Sequence, residues 1–502
     1  MRQMGITAGL SSTGASIKAM PAELLDEVAS FLDTRSDLLS FALTCRALKQ
    51  IVIPRHSEYR FVRCHYRYLD VWRHFIQRPD LARHVRTLEV VDAEDGPTGP
   101  PQIPSVALCS DRPFAFQLSQ FTIHDALTEL KKALSSMKNL QSFHFQTMAS
   151  RHDVFDGSVD DEAAVWDTVS KLPSVQDIRR VHSMDPKARA QSLSVPAMPE
   201  LSTWRMTDLK SFALCDVMRP QTCHDTINHF IPAVLQSSSS LEKLNLAIIT
   251  HPIHLSMASL FETRSFPMLR DLKLNIRRNI HLNREAYSLL LERTPSIEHF
   301  ASWDMTLRPL RSGSLPALKS LSLGTGPDRD AVSDLLSDSS LAPRKMEKLC
   351  GIHLSTFYVG VLRTLDPHAL RRLELNYFES FDVLKDAVAL FPQLMWLRIP
   401  ARDYTYDWSG ATRQPLHTAQ WGELLYLLPE LEVLHGVSLF KDPFGTSVAD
   451  NDDRARELAM ICPKVYRTEH WDLDKTKAII LDRSGGDVTW RVETVTAHTW
   501  YS

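Results

Sequence analysis

A leucine pattern that recurs along most of the chain limits the possible folds more than any other sequence feature. Its spacing is L-x-x-L-x-L, and a proline or small polar residue usually stands just before it. Strand alternation places Leu272 and Leu274 on one face and Asp271 and Lys273 on the other. Clear examples begin at Leu241, Leu269, Leu318, Leu370 and Leu394. Because amphipathic helical stripes lie between these segments, the pattern predicts repeated helix and strand units that bury their leucines against one another.

This spacing resembles the strand signature of leucine-rich repeats. The intervals are irregular, with about 28 residues from Leu241 to Leu269 and about 21 from Ile297 to Leu318. The consensus Asn or Cys that follows the last strand leucine is missing, since Ile249 and Arg277 occupy those positions. We therefore expect an irregular, leucine-rich-repeat-like α/β solenoid, with a compact α/β domain as the alternative.

A second feature lies near the amino end, where two short amphipathic helices are separated by a polar break. Pro21 suits a first helical turn, because its missing N–H would have no intrahelical partner there. The first stripe comprises Leu24, Leu25, Val28, Phe31 and Leu32, and the second comprises Leu38, Leu39, Ala42 and Leu43. A module of about forty residues rarely supports its own core. It is therefore either a cap that docks on the rest of the chain or a module that another protein completes.

The residues of this module resemble an F-box. The matching pattern runs from Met20-Pro21 through Leu24-Leu25 and ends at Cys45-Arg46-Ala47-Leu48. Family members usually begin with Leu-Pro, so Met20 is a volume-conserving exchange, while Leu48 departs from the aromatic residue often found there. Together with the repeats, this resembles fungal-type F-box proteins with degenerate leucine-rich repeats. The resemblance implies binding to a Skp-type adaptor and, through it, to a cullin.

The resemblance implies that nine residues dock on the adaptor or support its interface. They are Met20, Pro21, Leu24, Leu25, Val28, Leu32, Leu38, Leu39 and Leu43.

The predicted organisation has four parts. We expect a disordered tail over residues 1–18, the F-box over 19–54, and the solenoid over 55–470 with an exposed insert near 93–114. Beyond the last leucine pattern, we expect capping strands over 471–502 around a Gly-rich turn.

Composition excludes several classes of function. Charged residues are 23% of the chain and the net charge is −3, which does not suit a nucleic-acid or membrane-surface protein. No apolar run approaches the roughly 18 residues of a membrane span. The seven scattered cysteines include no C-x-x-C, as expected of reduced thiols in the cytoplasm or nucleus.

No motif predicts catalysis, a cofactor or a metal. Cys64-His65 and Cys223-His224 lack the second ligand pair of a zinc site. Gly324-Thr325-Gly326 lacks the remainder of a phosphate loop. We therefore predict a non-enzymatic chain with no cofactor.

Strand positions that face away from the leucines are the candidate surface for a protein target. Trp396 beside Arg398 has the composition of a binding hot spot. The predicted target-binding residues are Asp271, Lys273, His299, Arg372, Glu374, Trp396 and Arg398.

Three functions remain open from the sequence. The first is a substrate receptor of a Skp–cullin–F-box ubiquitin ligase, which holds an unknown protein near the conjugating enzyme. The second is an F-box scaffold that acts with the adaptor outside a ligase. The third is an enzyme whose motif is not visible in the sequence.

Overall fold

The computed structural model describes the chain in segments that form two compact units. The units are Met1–Gln146 with Asp160–Val175, and Thr147–Val159 with Gln176–Ser502. The described residues are 17, 20–32, 34–53, 55–91, 101–104, 122–148, 159–183, 206, 208–218, 231–235, 239–250, 255–256, 265–276, 280–281, 284–303, 310–311, 313–324, 329–336, 343–399, 418–437, 439–440, 448–472, 475–483 and 487–495. Apart from Ile17, the predicted tail over 1–18 lies outside them.

The first unit begins with three helices and continues with helices and parallel strands. Its elements are α1 (Ala22–Ser30), α2 (Arg35–Leu43), α3 (Arg46–Val52), β1 (Phe61–His65), α4 (Leu69–Gln77), α5 (Pro79–Ala82), β2 (Thr87–Val91), α6 (Ile123–Ser136), β3 (Ser142–Met148) and α7 (Val159–Ser170).

The helices α1 to α3, called the trihelix below, pack around a small core. This core contains Ala29, Leu38, Ala42 and Val52, with Leu32 and Phe41 packed against it. The side chain of Thr34 accepts a hydrogen bond from the Asp37 N–H at 3.1 Å and so caps the start of α2. The core is small, as expected for so short a module, and depends on residues that follow it.

In the first unit, β2 pairs in parallel with β1 on one side and β3 on the other. The far edge of β1 is also occupied: Arg63 and Gln102 exchange two backbone hydrogen bonds of 2.9 and 2.8 Å. Gln102 belongs to the predicted exposed insert near 93–114, and it pairs with the edge of β1. Of that insert, only residues 101–104 lie among the described residues.

The second unit continues the alternation of strands and helices. Its elements are β4 (Asp177–Ser183), β5 (Ser211–Met218), α8 (Ile231–Val234), β6 (Lys243–Thr250), β7 (Leu255–Ser256), β8 (Asp271–Ile276), β9 (Ile280–His281), α9 (Arg284–Arg293), β10 (His299–Trp303), β11 (Ser320–Leu323), α10 (Arg329–Leu336), β12 (Lys348–Leu354), α11 (Thr356–Leu362), β13 (Arg372–Phe378), α12 (Phe381–Ala389), β14 (Trp396–Arg398), α13 (Thr418–Leu425), β15 (Val433–His435), α14 (Val448–Ile461), β16 (Arg467–Asp472), β17 (Lys475–Asp482) and β18 (Thr489–Val495).

Strands of the second unit lie side by side in chain order. From β4 to β16 the pairing is parallel, with the short strands β7 and β9 forming a separate pair. The strands β16, β17 and β18 pair antiparallel, and they include the segments predicted as capping strands. The predicted fold class is confirmed: three N-terminal helices are followed by an open series of α/β units.

The leucines of the repeated pattern form the core of the second unit. In register, Leu272 lies between Leu244 and Phe300, and Leu373 lies between Leu349 and Leu397. All six side chains are buried. Burial of one such side chain contributes about 1.5–3 kcal/mol, so the rows of leucines hold neighbouring strands together.

A repeated backbone contact sets the register between neighbours. The backbone carbonyl of the residue just before one strand accepts hydrogen bonds from two N–H groups at the start of the next strand. For example, Arg270 O accepts from the N–H groups of Glu298 and His299 at 2.9 and 2.8 Å. This carbonyl clamp fixes the start of each strand against the one before it.

The side chains at the carbonyl clamp alternate in charge. Successive clamp residues are Lys210, Glu242, Arg270, Glu298, Lys319, Glu347 and Arg371. Glu298 accepts a hydrogen bond from Lys319 at 2.7 Å and has Arg270 at 3.7 Å on its other side. The hydrogen bond from Lys319 lowers the pKa of the Glu298 carboxyl. These ion pairs are exposed, so each contributes little to stability. If a strand skipped its neighbour and paired with the strand after it, however, like charges would lie together at the clamp.

Gly351 interrupts the regular pairing of β12 with β13. Its φ is +80°, and the register shifts between Cys350 and Ile352. A Cβ atom at this position would lie 1.6 Å from the carbonyl oxygen of Leu323 on the neighbouring strand. Only glycine fits this bulge, for both conformational and steric reasons.

We expect Gly351→Ala to lower the free energy of unfolding of the second unit by about 3–5 kcal/mol, because the new methyl group overlaps a backbone atom. Gly360→Ala in α11 is the matched control. A Cβ atom at residue 360 would meet nothing within 4 Å, so this change should stabilise the helix by about 0.5–1 kcal/mol. Urea unfolding of both variants checks this, and equal stabilities would contradict the assigned bulge.

Candidate protein-binding surfaces

The trihelix exposes several large apolar side chains. Among the predicted adaptor-binding residues, Leu24 is 46% exposed, Leu39 is 55% exposed and Leu43 is 75% exposed. Met20 and Pro21 are also exposed. Leaving several leucines in water is unfavourable, and neighbouring exposed apolar residues mark interaction surfaces. These residues give the trihelix an apolar surface.

The other predicted adaptor-binding residues are more deeply buried. Leu25 and Leu38 are buried, whereas Val28 and Leu32 are half-buried. A change at Leu25 or Leu38 would therefore disturb the trihelix itself as well as any interface.

Three further exposed apolar residues were missing from the predicted set. They are Ile17, Phe31 and Ile53, and Phe31 is 76% exposed. Phe31 belongs to the apolar stripe of α1, so periodicity could have identified it. No sequence signal distinguishes Ile53 from a buried helix-end residue.

A cavity of about 220 Å³ opens beside these side chains. Leu39 and Ile53 line it together with Phe61 and Ile103. Its lining therefore includes residues that lie well beyond the trihelix in sequence, and sequence patterns alone could not have placed them there.

Hydrogen bonds tie α1 to the residues that follow the trihelix. Arg60 Nη2 donates to the Ala29 carbonyl at 2.9 Å, at the end of α1. His56 Nε2 lies 3.0 Å from Asp26 Oδ1, and Arg60 Nη2 lies 3.4 Å from His56 Nδ1. A carboxylate only accepts and a guanidinium only donates. Neutral His56 with its proton on Nε2 satisfies both partners.

His84 completes a cluster that has the composition of a metal site. Ligand atoms of Asp26, His56 and His84 all lie within 4.8 Å of one another. A metal bound through His56 Nε2 would require the proton on Nδ1, where it would point at Arg60. Arg55 also lies 4.0 Å from Asp26. The arrangement therefore fits a hydrogen-bonded link better than a cation site.

Burial keeps both imidazoles of this link neutral. It lowers the pKa of His84 to about 4, and nearby His56 and Arg83 add to the effect. Burial also lowers the pKa of His56, although the hydrogen bond to Asp26 opposes this. A second proton on His56 would face the Arg60 guanidinium, so protonation and the folded link are incompatible.

A second candidate surface lies on β12, β13 and β14, on the face opposite the leucine rows. Glu374 is buried, with a side chain only 5% exposed. Arg372 Nε donates to its Oε1 at 2.8 Å, and Arg398 Nη1 donates to its Oε2 at 3.3 Å. The Arg372 guanidinium also lies 3.9 Å from the centroid of the Trp396 ring. The structure thus joins four of the seven predicted target-binding residues, and we call them the arginine–tryptophan cluster.

The charges of the arginine–tryptophan cluster depend on one another. Burial alone would raise the pKa of Glu374, but the charges of Arg372 and Arg398 lower it. Beneath the cluster, burial and the nearby Glu374 carboxylate raise the pKa of the Cys350 thiol to about 12. Glu374 is therefore an ionised anchor, and Cys350 is an unreactive thiol.

The remaining three predicted target-binding residues lie elsewhere on this unit. Asp271 and Lys273 are on β8, and His299 on β10 pairs in register with Asp271. Two strands, β11 and β12, separate β10 from β13. Because neighbouring strands lie about 4.8 Å apart, these residues do not contact the arginine–tryptophan cluster.

In the described part of the chain, no helix has both the length and the hydropathy needed to cross a bilayer.

Comparison with known proteins identifies the trihelix. A family model, the F-box domain, matches residues 17–54. None of the curated proteins matches the sequence. Among solved structures, a chain described as "Crystal structure of Rad7 and Elc1 complex in yeast" has 12% sequence identity and a TM-score of 0.39, and the match covers 85% of this chain and 90% of that chain. The family match therefore carries the assignment of the N-terminal helices.

We expect acid to loosen the link between α1 and Arg60. The unfolded chain takes up protons on His56 and His84 near pH 6.5, whereas the folded link resists protonation until about pH 4 for His84. Stability should therefore fall as the pH drops from 6.5 towards 4, by about 1–3 kcal/mol in total.

Hydrogen exchange of peptides from α1, corrected for the intrinsic rate at each pH, measures this loss. His84→Gln should reduce the pH dependence to the part that His56 contributes, whereas His368→Gln, at an exposed histidine, should leave it unchanged. If the corrected exchange of α1 in the wild-type chain did not depend on pH, the prediction that the folded link resists protonation of its histidines would be wrong.

Proposed function

Because residues 17–54 are an F-box domain, we propose that the chain is the substrate receptor of a Skp–cullin–F-box ubiquitin ligase. The trihelix binds a Skp-type adaptor, and the strand face of the second unit binds the protein to be ubiquitinated. The observation that carries the proposal is the F-box match on a module that exposes Leu24, Leu39 and Leu43.

In this role the chain acts by proximity. It holds a target near the ubiquitin-conjugating enzyme and so raises the effective concentration of the target's lysines. We propose no reaction on the chain itself. Among the described residues, the one cluster with three potential metal ligands is the hydrogen-bonded link around His56.

We also propose that the protein works in a reducing compartment, the cytoplasm or nucleus. Within the described segments, Cys64, Cys350 and Cys462 are buried free thiols, which supports this placement.

Adaptor binding tests the first half of the proposal. With Leu24→Asp and Leu39→Asp in the chain, the amount of Skp-type adaptor that co-purifies should fall at least about ten-fold. Each change puts a charge into an apolar interface. Both side chains are exposed, so the trihelix should still fold.

Met460→Asp and Tyr426→Asp are matched controls. These residues are 78% and 77% exposed on the second unit, and their variants should bind the adaptor like the wild type. Adaptor binding that survives the double change at Leu24 and Leu39 would refute the assigned surface.

A second measurement separates a ligase from a scaffold. If the chain is a substrate receptor, a cullin should co-purify with the wild-type chain and its adaptor, and should be lost together with the adaptor in the double variant. An adaptor complex that never contains a cullin would favour the alternative, an F-box scaffold that acts outside a ligase.

A further inference from the structure

The arginine–tryptophan cluster has an excess of positive charge at its surface. Glu374 is the buried partner of both Arg372 and Arg398, so one carboxylate compensates two guanidinium groups. Lys348 lies beside Arg372 in register on β12. Lys348, Arg372 and Arg398 are thus three cations near one anion, Glu374. The anion is the most deeply buried of the four side chains.

Arg372 is both held in place and accessible. Its Nε and Nη2 bond to Glu374 along one edge of the guanidinium plane. The fixed fork geometry of arginine then leaves Nη1 and the second N–H of Nη2 on the adjoining edge. The side chain remains 40% exposed, so that edge can meet a ligand without losing Glu374.

Trp396 supports the guanidinium from one side. The cation lies 3.9 Å from the ring centroid, which is close for a cation–π contact. On the next strand, the imidazole of His435 lies 5.9 Å from the Trp396 ring. Arginine and tryptophan are the residues most enriched in binding hot spots, and here contacts within the chain already hold both of them.

From this arrangement we propose that the cluster binds an acidic segment of the target protein, with a glutamate or aspartate carboxylate paired to Arg372. The proposal rests on the function proposed above and names the chemistry of its target. A carboxylate has two coplanar oxygens that match the free edge of a guanidinium. An apolar side chain beside the acidic residue would pack on the exposed part of the Trp396 ring.

A carboxylate suits this site better than a phosphate. Glu374 already neutralises part of both guanidinium groups, and a doubly charged group would lie close to that buried carboxylate. Arg398 is only 20% exposed, so it cannot turn outward to surround a tetrahedral group without leaving Glu374. The cluster therefore favours one carboxylate at its edge.

Synthetic peptide pools test this with the full chain in complex with its adaptor. Each pool has one fixed central residue, which is Glu, Gln, Lys or phosphoserine, and degenerate residues on both sides. We expect the Glu pool to retain the complex at least about five-fold better than the Gln pool, and salt to weaken this preference. Equal retention by the Glu and Gln pools, or a preference for phosphoserine alone, would overturn the proposal.

Variants assign the effect to the cluster. Arg372→Gln should abolish the preference for Glu, and Trp396→Ala should weaken it because Arg372 loses its support. Lys243→Gln is the matched control, since Lys243 is an exposed cation on β6 that occupies the same register row. A preference for Glu that survives Arg372→Gln would refute the assigned residues.

Adaptor retention and thermal unfolding are measured for every variant. A complex that retains the adaptor but shows no preference for Glu contradicts this inference alone. A wild-type chain that fails to bind the adaptor contradicts the proposed function, while direct binding of the peptide pools to the chain still tests the cluster.

Discussion

The carbonyl clamp between neighbouring parallel strands is the contact on which the second unit depends. One carbonyl accepts hydrogen bonds from two N–H groups of the next strand, as Arg270 O does from Glu298 and His299. Each of these strands therefore starts at a defined position relative to its neighbour. A slip of one residue would turn Leu272 and Leu274 to the opposite face. The clamp thus keeps the leucines in rows and the polar side chains on the other face.

The same register creates the polar surface. Arg372, Trp396 and Lys348 come from three strands that are distant in sequence, and parallel pairing places them in one row. Glu374 and Arg398 form part of the next row. A buried ion pair is costly unless its groups are well paired. Here the two guanidinium groups hold Glu374 ionised while keeping part of their own surface in water.

The trihelix depends on the residues that follow it in the chain. Its core is small, and it relies on contacts from beyond the F-box match, such as the bond from Arg60 to the end of α1. Those contacts leave Leu24, Leu39 and Leu43 exposed. The trihelix is therefore tied to its own chain and still exposes apolar side chains.

The sequence by itself determined the fold class and the F-box, because both depend on local periodicity: leucines alternate along strands such as Leu272–Leu274 and recur along α1. It also predicted which residues face away from the leucine rows. Only the tertiary structure decided that Arg372, Glu374, Trp396 and Arg398 meet while Asp271, Lys273 and His299 lie apart. It likewise decided that Gln102 pairs with β1 and that Gly351 forms a bulge. These features depend on the register between distant segments, which side-chain spacing within one segment does not specify.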